Sequence, residues 1–141
     1  MKIVAKRFDK NFSMPAYDSG AACFDLVCRE SATIEPGKII GVPQNIALAV
    51  PTGYVLLMFI RSSTPQRRGL VLANSVGVID PFYCGDNDEN LAFFLNITDQ
   101  PVHIEAGEKL VQGMIIKTQP IEWQEVEKMP ADGHGGYSLE A

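Results

Sequence analysis

Two side chains that can do chemistry, Asp80 and Tyr83, stand close together near the middle of the chain. They follow the apolar run Leu70–Ile79, and Pro81 marks a turn between them. Valine, isoleucine and leucine at this density favour a buried strand or one arm of a hairpin, whose ladder a proline cannot continue. A carboxylate at the end of such a run is costly unless water, a metal ion or hydrogen bonds stabilise its charge. The alternative is a turn aspartate that accepts hydrogen bonds from nearby backbone amides.

A second polar group follows the strongly hydrophobic run Tyr54–Ile60. Arg61, Ser62 and Ser63 come directly after that run. A guanidinium group and two hydroxyls at a strand end, together with the amides of the same residues, make a reasonable binding site for an anion. Taken alone, such a triplet is also typical of an ordinary loop.

Two further polar residues interrupt apolar runs. Asp25 lies within Cys23–Val27, where a strand-end or turn aspartate is the alternative interpretation. Gln112 lies inside Lys109–Ile116, and its amide group needs hydrogen-bond partners there. It is either a buried structural residue or a contact to a ligand.

The C-terminal segment Gly133–Tyr137 is rich in glycine. Because glycine has no side chain, its backbone amides can approach a phosphate closely. This signal is weak alone, and the lack of an apolar stripe from Met129 to Ala141 predicts a flexible tail. We therefore divide the chain into a domain of residues 1–128 and a tail of residues 129–141.

Short β-like runs separated by turn residues must position these groups. Turn signals at intervals of about eight to twelve residues are typical of an all-β sandwich or barrel. No segment of helical length shows a 3.6-residue period, although Thr64–Gly69 can form one short turn with Pro65 near its start. The predicted runs are Lys2–Arg7, Phe24–Cys28, Ser31–Ile34, Ile39–Val42, Ile46–Val50, Tyr54–Ile60, Leu70–Ile79, Leu91–Ile97, Val102–Ile104 and Lys109–Ile116.

Length and charge limit the class of protein. A chain of 141 residues is expected to form one domain with a real core. Its 12 basic and 17 acidic residues give a net charge of −5, which argues against duplex nucleic acid as a partner but leaves a nucleotide possible. No apolar run approaches membrane-spanning length and no secretory leader is visible, so we expect a cytoplasmic protein without a membrane partner.

The three cysteines are Cys23, Cys28 and Cys84. Their odd number and irregular spacing predict neither a disulfide framework nor a zinc site. We expect free, buried thiols in a reducing cytoplasm.

Taken in order, the polar positions resemble the five motifs of the trimeric dUTP diphosphatases (dUTPases). The resemblance extends from about Lys2 to Tyr137, and the third motif is the most specific. It implies an all-β, distorted jelly-roll fold, a homotrimer with three sites at subunit interfaces, and Mg²⁺-assisted hydrolysis of dUTP to dUMP and pyrophosphate. The matching segments are Ala22-Cys-Phe-Asp-Leu26, Arg61-Ser-Ser63, Asn74 with Gly77-Val-Ile-Asp80-x-x-Tyr83-x-Gly85, Gly107-Glu-Lys-Leu-Val-Gln112 and Gly135-Gly-Tyr137.

The resemblance also implies a role for each matching residue. Asp80 matches the residue that orients and helps to deprotonate the attacking water, and Tyr83 matches the aromatic residue that stacks under deoxyribose and excludes a 2′-hydroxyl. Asn74 matches a polar position of the nucleoside pocket, and Asp25 matches an aspartate that reaches the metal through water. The residues that match phosphate-binding positions are Arg61, Ser62, Ser63 and Gln112, with His134, Gly135, Gly136 and Tyr137 closing over the triphosphate.

The chain departs from the family pattern in three places. Cys23 replaces a glycine of the first motif, and the acidic segment Asp86–Asn90 is longer than its commonest form. In the fifth motif His134 replaces arginine and Tyr137 replaces phenylalanine, and Leu139–Ala141 leave the pattern. Because a neutral imidazole binds phosphate less well than a bidentate guanidinium, we expect weak closure of the tail.

Two other classes of protein share parts of this pattern. A relative of the dCTP deaminases would need a glutamate shortly after the third motif, and Glu89 lies in that region. A non-catalytic nucleotide-binding or regulatory protein would explain the altered tail. The release of pyrophosphate and ammonia from dUTP and dCTP distinguishes these classes.

Overall fold

The computed structural model describes residues 1–130 as an all-β fold with one short helix. Each predicted run contains at least one strand, which confirms the predicted fold class. The elements in chain order are β1 (Val4–Arg7), β2 (Phe24–Leu26), β3 (Ala32–Ile34), β4 (Ile39–Pro43), β5 (Ile46–Ala49), β6 (Tyr54–Ile60), α1 (Ser63–Arg68), β7 (Leu70–Leu72), β8 (Gly77–Ile79), β9 (Leu91–Asn96), β10 (Val102–Ile104) and β11 (Val111–Lys117).

Four antiparallel sheets make up the jelly roll. The largest has the strand order β2-β11-β6-β8, and a second has the order β4-β9-β7. Strands β1 and β5 form one further pair, and β3 and β10 form another. Because β11 pairs with both β2 and β6, the last strand within residues 1–130 lies inside the largest sheet.

The run Leu70–Ile79 forms two strands in two sheets, unlike the single buried strand or hairpin arm that the sequence predicts. Strand β7 pairs with β9, and β8 pairs with β6. The turn between them contains Ser75 in the left-handed region, with φ of 62°. The amide of Ser75 donates to Leu72 O over 3.0 Å, which closes the turn. The run therefore crosses from one layer of the jelly roll to the other.

Helix α1 confirms the short turn predicted near Pro65. It ends at Arg68 and is capped by Gly69, whose φ of 61° is readily adopted by glycine and whose amide donates to Pro65 O over 3.0 Å. A Cβ at Gly69 would lie 2.0 Å from Cγ2 of Thr98, so this position also has no space for a side chain. Within residues 1–130 no helix is long and apolar enough to cross a membrane.

The buried faces of the two larger sheets meet in one core. Leu56 and Val111 contribute from the largest sheet, and Leu70 and Phe94 contribute from the second. All four are 0% exposed. This core fixes the strands whose ends carry the polar residues of the candidate site.

Candidate active site

Five of the predicted residues gather at one end of the largest sheet, and we call them the Arg61 cluster. Strand pairing creates it, because Gln112 on β11 lies opposite Asp25 on β2 on one side and opposite Phe59 on β6 on the other. Asp25 is thus a mid-strand residue, and the strand-end or turn aspartate considered from the sequence is wrong. The members are Asp25, Arg61, Ser62, Ser63 and Gln112.

The guanidinium group of Arg61 is held from two sides. Its Nε lies 3.2 Å from Oδ1 of Asp25, and its Nη1 donates to Lys109 O over 2.8 Å. The backbone amide of Arg61 donates to Leu110 O over 3.0 Å, which continues the alignment with β11. Guanidinium has five N–H donors, so this arrangement orients the group and leaves donors for an anion.

The other polar groups of the Arg61 cluster are not used by the fold. Ser62 occupies the N-cap position of α1 but makes no side-chain capping bond. The half-buried Gln112 makes no side-chain hydrogen bond to any residue in 1–130. These groups face no competing protein partner in the described part of the chain, so they are available to a ligand.

Asp80, Tyr83 and Asn74 form a second set, which we call the β8 group because they flank β8. Asp80 directly follows Ile79, and its backbone O accepts from the amide of Tyr83 over 3.1 Å. The carboxylate is exposed and makes no hydrogen bond or ion pair within residues 1–130. Asp80 therefore avoids the cost of a buried charge, and its side chain does not cap the turn.

The side chain of Tyr83 is 40% exposed and has one polar contact in the described residues. Its hydroxyl donates to Glu89 O over 3.1 Å, across the acidic segment of the loop. Asn74 lies in the turn that precedes β8, and its backbone O accepts from Val76 over 2.7 Å. Asn74 and Asp80 thus stand at opposite ends of β8.

Asp80 and the Arg61 cluster lie far apart within one chain. Ile79 pairs with Leu56, and Asp80 lies beyond that level in the direction away from Arg61. From Leu56 to Arg61 the strand advances five residues, which corresponds to about 17 Å. Asp80 and Arg61 of one chain are therefore too far apart to contact the same phosphate group.

The tail residues of the prediction, His134, Gly135, Gly136 and Tyr137, lie outside the described residues. Their predicted contacts with a triphosphate stay a prediction. The same holds for the assignment of residues 129–141 as a separate tail.

Direct coordination of a metal by several protein side chains finds no support in residues 1–130. No group of three or more histidine, cysteine, aspartate or glutamate side chains lies close enough to hold an ion there. Mg²⁺ commonly keeps several waters and takes its remaining ligands from one or two carboxylates and from substrate phosphates. Asp25, which is partly exposed beside the cationic Arg61, suits such contact through water.

Glu89 and Arg29 form an ion pair that sequence reasoning did not predict. Nε of Arg29 lies 2.8 Å from Oε1 of Glu89, and Nη2 lies 2.9 Å from Oε2. The hydrogen bonds to Glu89 are the main reason why the pKa of Arg29 lies above its ordinary value. An acid that lies two residues before the apolar run Leu91–Ile97 was the available signal, but its partner lies 60 residues away in the sequence.

The three cysteines are free, as predicted, but they are not all buried. Cys28 is fully buried, and burial raises the pKa of its thiol from 9.0 to about 11. Cys84 is exposed, because it lies in the loop that follows β8. The predicted burial is therefore wrong for Cys84.

The fold and the two sets of polar residues define a class of jelly-roll protein with an anion-binding strand end and a separate exposed carboxylate. The match to the dUTPase family model over residues 10–138 identifies that class. The chain belongs to the dUTPase family.

The chain covers most of the length of the curated relatives that it matches. The deoxyuridine 5′-triphosphate nucleotidohydrolase of Lactococcus lactis subsp. lactis is 36% identical over 119 residues, covering 82% of this chain and 79% of the relative. The protein of the same name from Dictyoglomus turgidum is 32% identical over 143 residues, covering 96% and 95%.

Solved structures agree with the family assignment. The crystal structure of the dUTPase from Streptococcus mutans superposes with a TM-score of 0.76 at 36% identity, covering 84% of this chain and 98% of that one. The dUTPase of Staphylococcus bacteriophage 80alpha gives a TM-score of 0.81 at 22% identity, covering 96% and 94%, and supports the fold alone.

Proposed function

We propose that this protein hydrolyses dUTP to dUMP and pyrophosphate. Membership of the dUTPase family supports this function, and the observation that carries it to this chain is the state of Asp80. Its carboxylate is exposed at the end of β8 and has no partner among residues 1–130. A general base must be free to accept a proton from water, and Asp80 meets that condition.

In this proposal the two sets of residues divide the substrate between them. The β8 group receives the nucleoside, with Asn74 near the base, Tyr83 against the deoxyribose ring and Asp80 beside the attacking water. The Arg61 cluster neutralises and orients the phosphates. When the linkage between the first and second phosphates breaks, these donors stabilise charge that accumulates on the leaving pyrophosphate. Catalysis then depends chiefly on positioning and charge neutralisation.

We also propose Mg²⁺ as the cofactor. A structure of the dUTPase from phage phi11 of S. aureus, with 21% identity to this chain, describes the coordination of a structural Mg(II) ion in that protein. In this chain Asp25 would contact the ion through water, because one carboxylate beside Arg61 cannot form a complete ligand set. When bound, the ion would neutralise phosphate charge and orient the triphosphate.

A homotrimer would bring the two sets of residues together. Because about 17 Å of β6 separates Asp80 from Arg61 in one chain, Asp80 of one copy would complete the Arg61 cluster of a neighbouring copy. The outer face of the second sheet supports assembly, because Ile39, Leu91 and Phe93 are each at least 40% exposed there. A face this apolar is unusual for a sheet that meets only water.

The proposal assigns the protein to the cytoplasm, where its three free thiols would stay reduced. Its partners are the nucleotide and further copies of the same chain. Its net charge of −5 disfavours nucleic acid, and we propose no membrane contact.

The test of the activity is the parallel release of pyrophosphate and ammonia from dUTP and dCTP. We expect pyrophosphate from dUTP and no ammonia from either nucleotide. A deaminase would release ammonia, but the glutamate that it would need is buried and paired with Arg29. Nucleotide binding without either product would indicate the non-catalytic class and contradict the proposal.

The test of the shared site uses two variants of low activity, Asp80→Asn and Arg61→Met, assayed at dUTP concentrations well below the wild-type KM. After unfolding and refolding as an equal mixture, about one quarter of the sites receive an intact Asp80 from one copy and an intact Arg61 from its neighbour. We therefore expect the mixture to recover about a quarter of the wild-type rate. If each site were built within one chain, the mixture would stay as inactive as its components.

A further inference from the structure

The loop that carries Tyr83 ends at the Arg29–Glu89 ion pair. We propose that this pair, which contacts neither Asp80 nor the Arg61 cluster, is a positioning device that sets the preference for deoxyribose by fixing the acceptor of the Tyr83 hydroxyl. The inference rests on the proposed function, in which Tyr83 packs against the sugar. It adds Arg29 and Glu89 as residues that determine specificity without touching the substrate.

The ion pair is well formed and largely buried. Nε of Arg29 contacts both carboxylate oxygens, at 2.8 and 3.1 Å, and Nη2 lies 2.9 Å from Oε2. The Glu89 side chain is 10% exposed and that of Arg29 is 28% exposed. Charge-assisted, bidentate contacts of this kind restrict the carboxylate in position and in plane.

Asn45 also holds the carboxylate of Glu89, and we call the groups of Arg29 and Asn45 that contact this carboxylate the cage. The amide of Asn45 donates to Oε1 of Glu89 over 2.8 Å. Asn45 is itself fixed, because its side chain exchanges hydrogen bonds with the backbone of Asp9 and its φ is 60°. The carboxylate of Glu89 thus connects the loop to two rigid parts of the fold.

The backbone around Glu89 is fixed as well. The amide of Asn90 donates to Ile46 O over 2.9 Å, and the amide of Gln44 donates to Asn90 O over 2.9 Å. With the side chain held by Arg29 and the next residue held by the start of β5, the carbonyl of Glu89 has a defined direction. That carbonyl accepts the hydroxyl of Tyr83 over 3.1 Å.

The hydroxyl bond matters because little else restrains Tyr83. Its side chain is 40% exposed, and within residues 1–130 this bond is its one polar contact. Between the two residues, the loop is held by a local turn, in which Gly85 and Asp88 exchange hydrogen bonds, and by Lys6, whose Nζ donates to Asp86 O over 2.6 Å. A ring that can tilt would make room for a 2′-hydroxyl, so a fixed acceptor keeps the sugar pocket narrow.

Stability alone is a poor explanation for the pair. A buried ion pair loses much of its attraction to the cost of removing both charges from water, and apolar replacements often stabilise a fold equally well. The carbonyl of Glu89, in contrast, keeps one direction only if several groups hold the backbone around it. The observed cage supplies that restraint.

The experiment measures the ratio of kcat/KM for dUTP to kcat/KM for UTP in wild type, Tyr83→Phe, Glu89→Gln and Arg29→Lys. We expect each variant to lower the ratio about tenfold, the effect of losing one well-placed hydrogen bond, with most of the change in the KM for UTP. The matched control is Glu30→Gln. Glu30 contacts Nη1 of the same Arg29 at 2.6 Å but is exposed and has no contact with Tyr83, so the ratio should stay within twofold.

The double variant Glu89→Gln with Tyr83→Phe separates positioning from general stability. If both act through one hydrogen bond, the double variant should show no greater loss of the ratio than Tyr83→Phe alone. Losses that multiply, or an unchanged ratio in both Glu89→Gln and Arg29→Lys, would overturn the inference. If Glu89→Gln unfolds, Arg29→Lys replaces it in the test, because lysine keeps the positive charge beside Glu89 and should leave the protein folded. A wild type that hydrolyses no dUTP would instead contradict the proposed function.

Discussion

Polar groups lie at both ends of β6, but paired strands position them at one end and a turn positions them at the other. At the Ile60 end, Asp25 and Gln112 stand on paired strands, and the guanidinium of Arg61 is held by a carbonyl and a carboxylate. At the other end, Asp80 and Tyr83 lie in a turn that has left the sheet. The positions of the Arg61 cluster are fixed by backbone hydrogen bonds between strands, whereas the positions of Asp80 and Tyr83 depend on a loop.

This difference indicates how the protein would separate its affinity for phosphate from its selectivity for the sugar. Phosphate is common to all nucleoside triphosphates, and a rigid strand end can bind it without regard to sugar or base. In the proposed function the sugar is selected by the aromatic ring of Tyr83 on a loop, and a loop needs side-chain contacts to become rigid. Damage to the Arg61 cluster should therefore weaken all triphosphates alike, and damage to the loop should change their ranking.

The largest effect is expected at Asp80, which acts as the general base in the proposed function. Asp80→Asn keeps the volume of the side chain but removes its basicity, so kcat for dUTP should fall by about 10²–10⁴. Affinity for a non-hydrolysable dUTP analogue, measured by calorimetry, should change little. A variant that retained more than a third of the wild-type kcat would remove Asp80 from this role.

Arg61→Met should have the next largest effect. The loss of charge-assisted bonds to phosphate should raise Kd for the dUTP analogue and the UTP analogue by the same factor, about 10- to 100-fold. The control is Arg67→Met, because Arg67 is exposed in the last turn of α1 and forms no ion pair with residues 1–130. If Kd rose by different factors for the two analogues, the Arg61 cluster would not bind phosphate independently of the sugar, and the proposed division of roles between the two ends would be wrong.

Alkaline pH should lower the stability of the core through Cys28, which lies in sequence between Asp25 of the Arg61 cluster and Arg29 of the ion pair. Its pKa is raised from 9.0 to about 11, so the folded state holds the proton more tightly than the unfolded state. The resulting stability is complete below pH 9 and is lost as the pH rises to 11, a change of about 2 kcal/mol.

Urea unfolding followed by circular dichroism measures this change. The wild-type free energy of unfolding should fall between pH 9 and pH 11 more steeply than that of Cys28→Ala, which has no thiol to titrate. Equal slopes for the two proteins would show that the Cys28 thiol makes no such contribution.

The smallest effects are expected from the tail, which lies outside the described residues. Truncation after Pro130 should lower kcat/KM for dUTP less than tenfold, about the value of one neutral hydrogen bond, and leave the β core folded. His134→Arg should raise it severalfold at pH 7–8, where an imidazole is mostly neutral and a guanidinium is charged. Steady-state kinetics on both variants decide the point. An unchanged kcat/KM after truncation would show that the tail does not act as a lid.

The sequence predicted what depends on short stretches of chain. The strands and the short helix at Pro65 were visible because their signals, apolar density and turn residues, are local. The division of Leu70–Ile79 between two sheets was not visible, because nothing in that apolar run marks which residues pair with β9 and which with β6. Pairing is decided by strands that lie elsewhere in the chain.

The candidate site was predictable residue by residue but not as an arrangement. Asp80, Arg61 and Gln112 could each be singled out because a polar group in or after an apolar run requires an explanation. Their separation into two sets follows from the register of β8 against β6, which no single segment encodes. The Arg29–Glu89 pair was missed for the same reason, because its partners are 60 residues apart.

The central place of β11 has a consequence for how the protein is made. A ribosome releases Val111–Lys117 after β1 to β10, yet β2 and β6 each pair with this strand. Until it emerges, the nascent chain holds the apolar run Tyr54–Ile60 with one edge unpaired, the kind of edge that joins other chains. A message truncated before Val111 would therefore yield an aggregating fragment rather than a partly active enzyme.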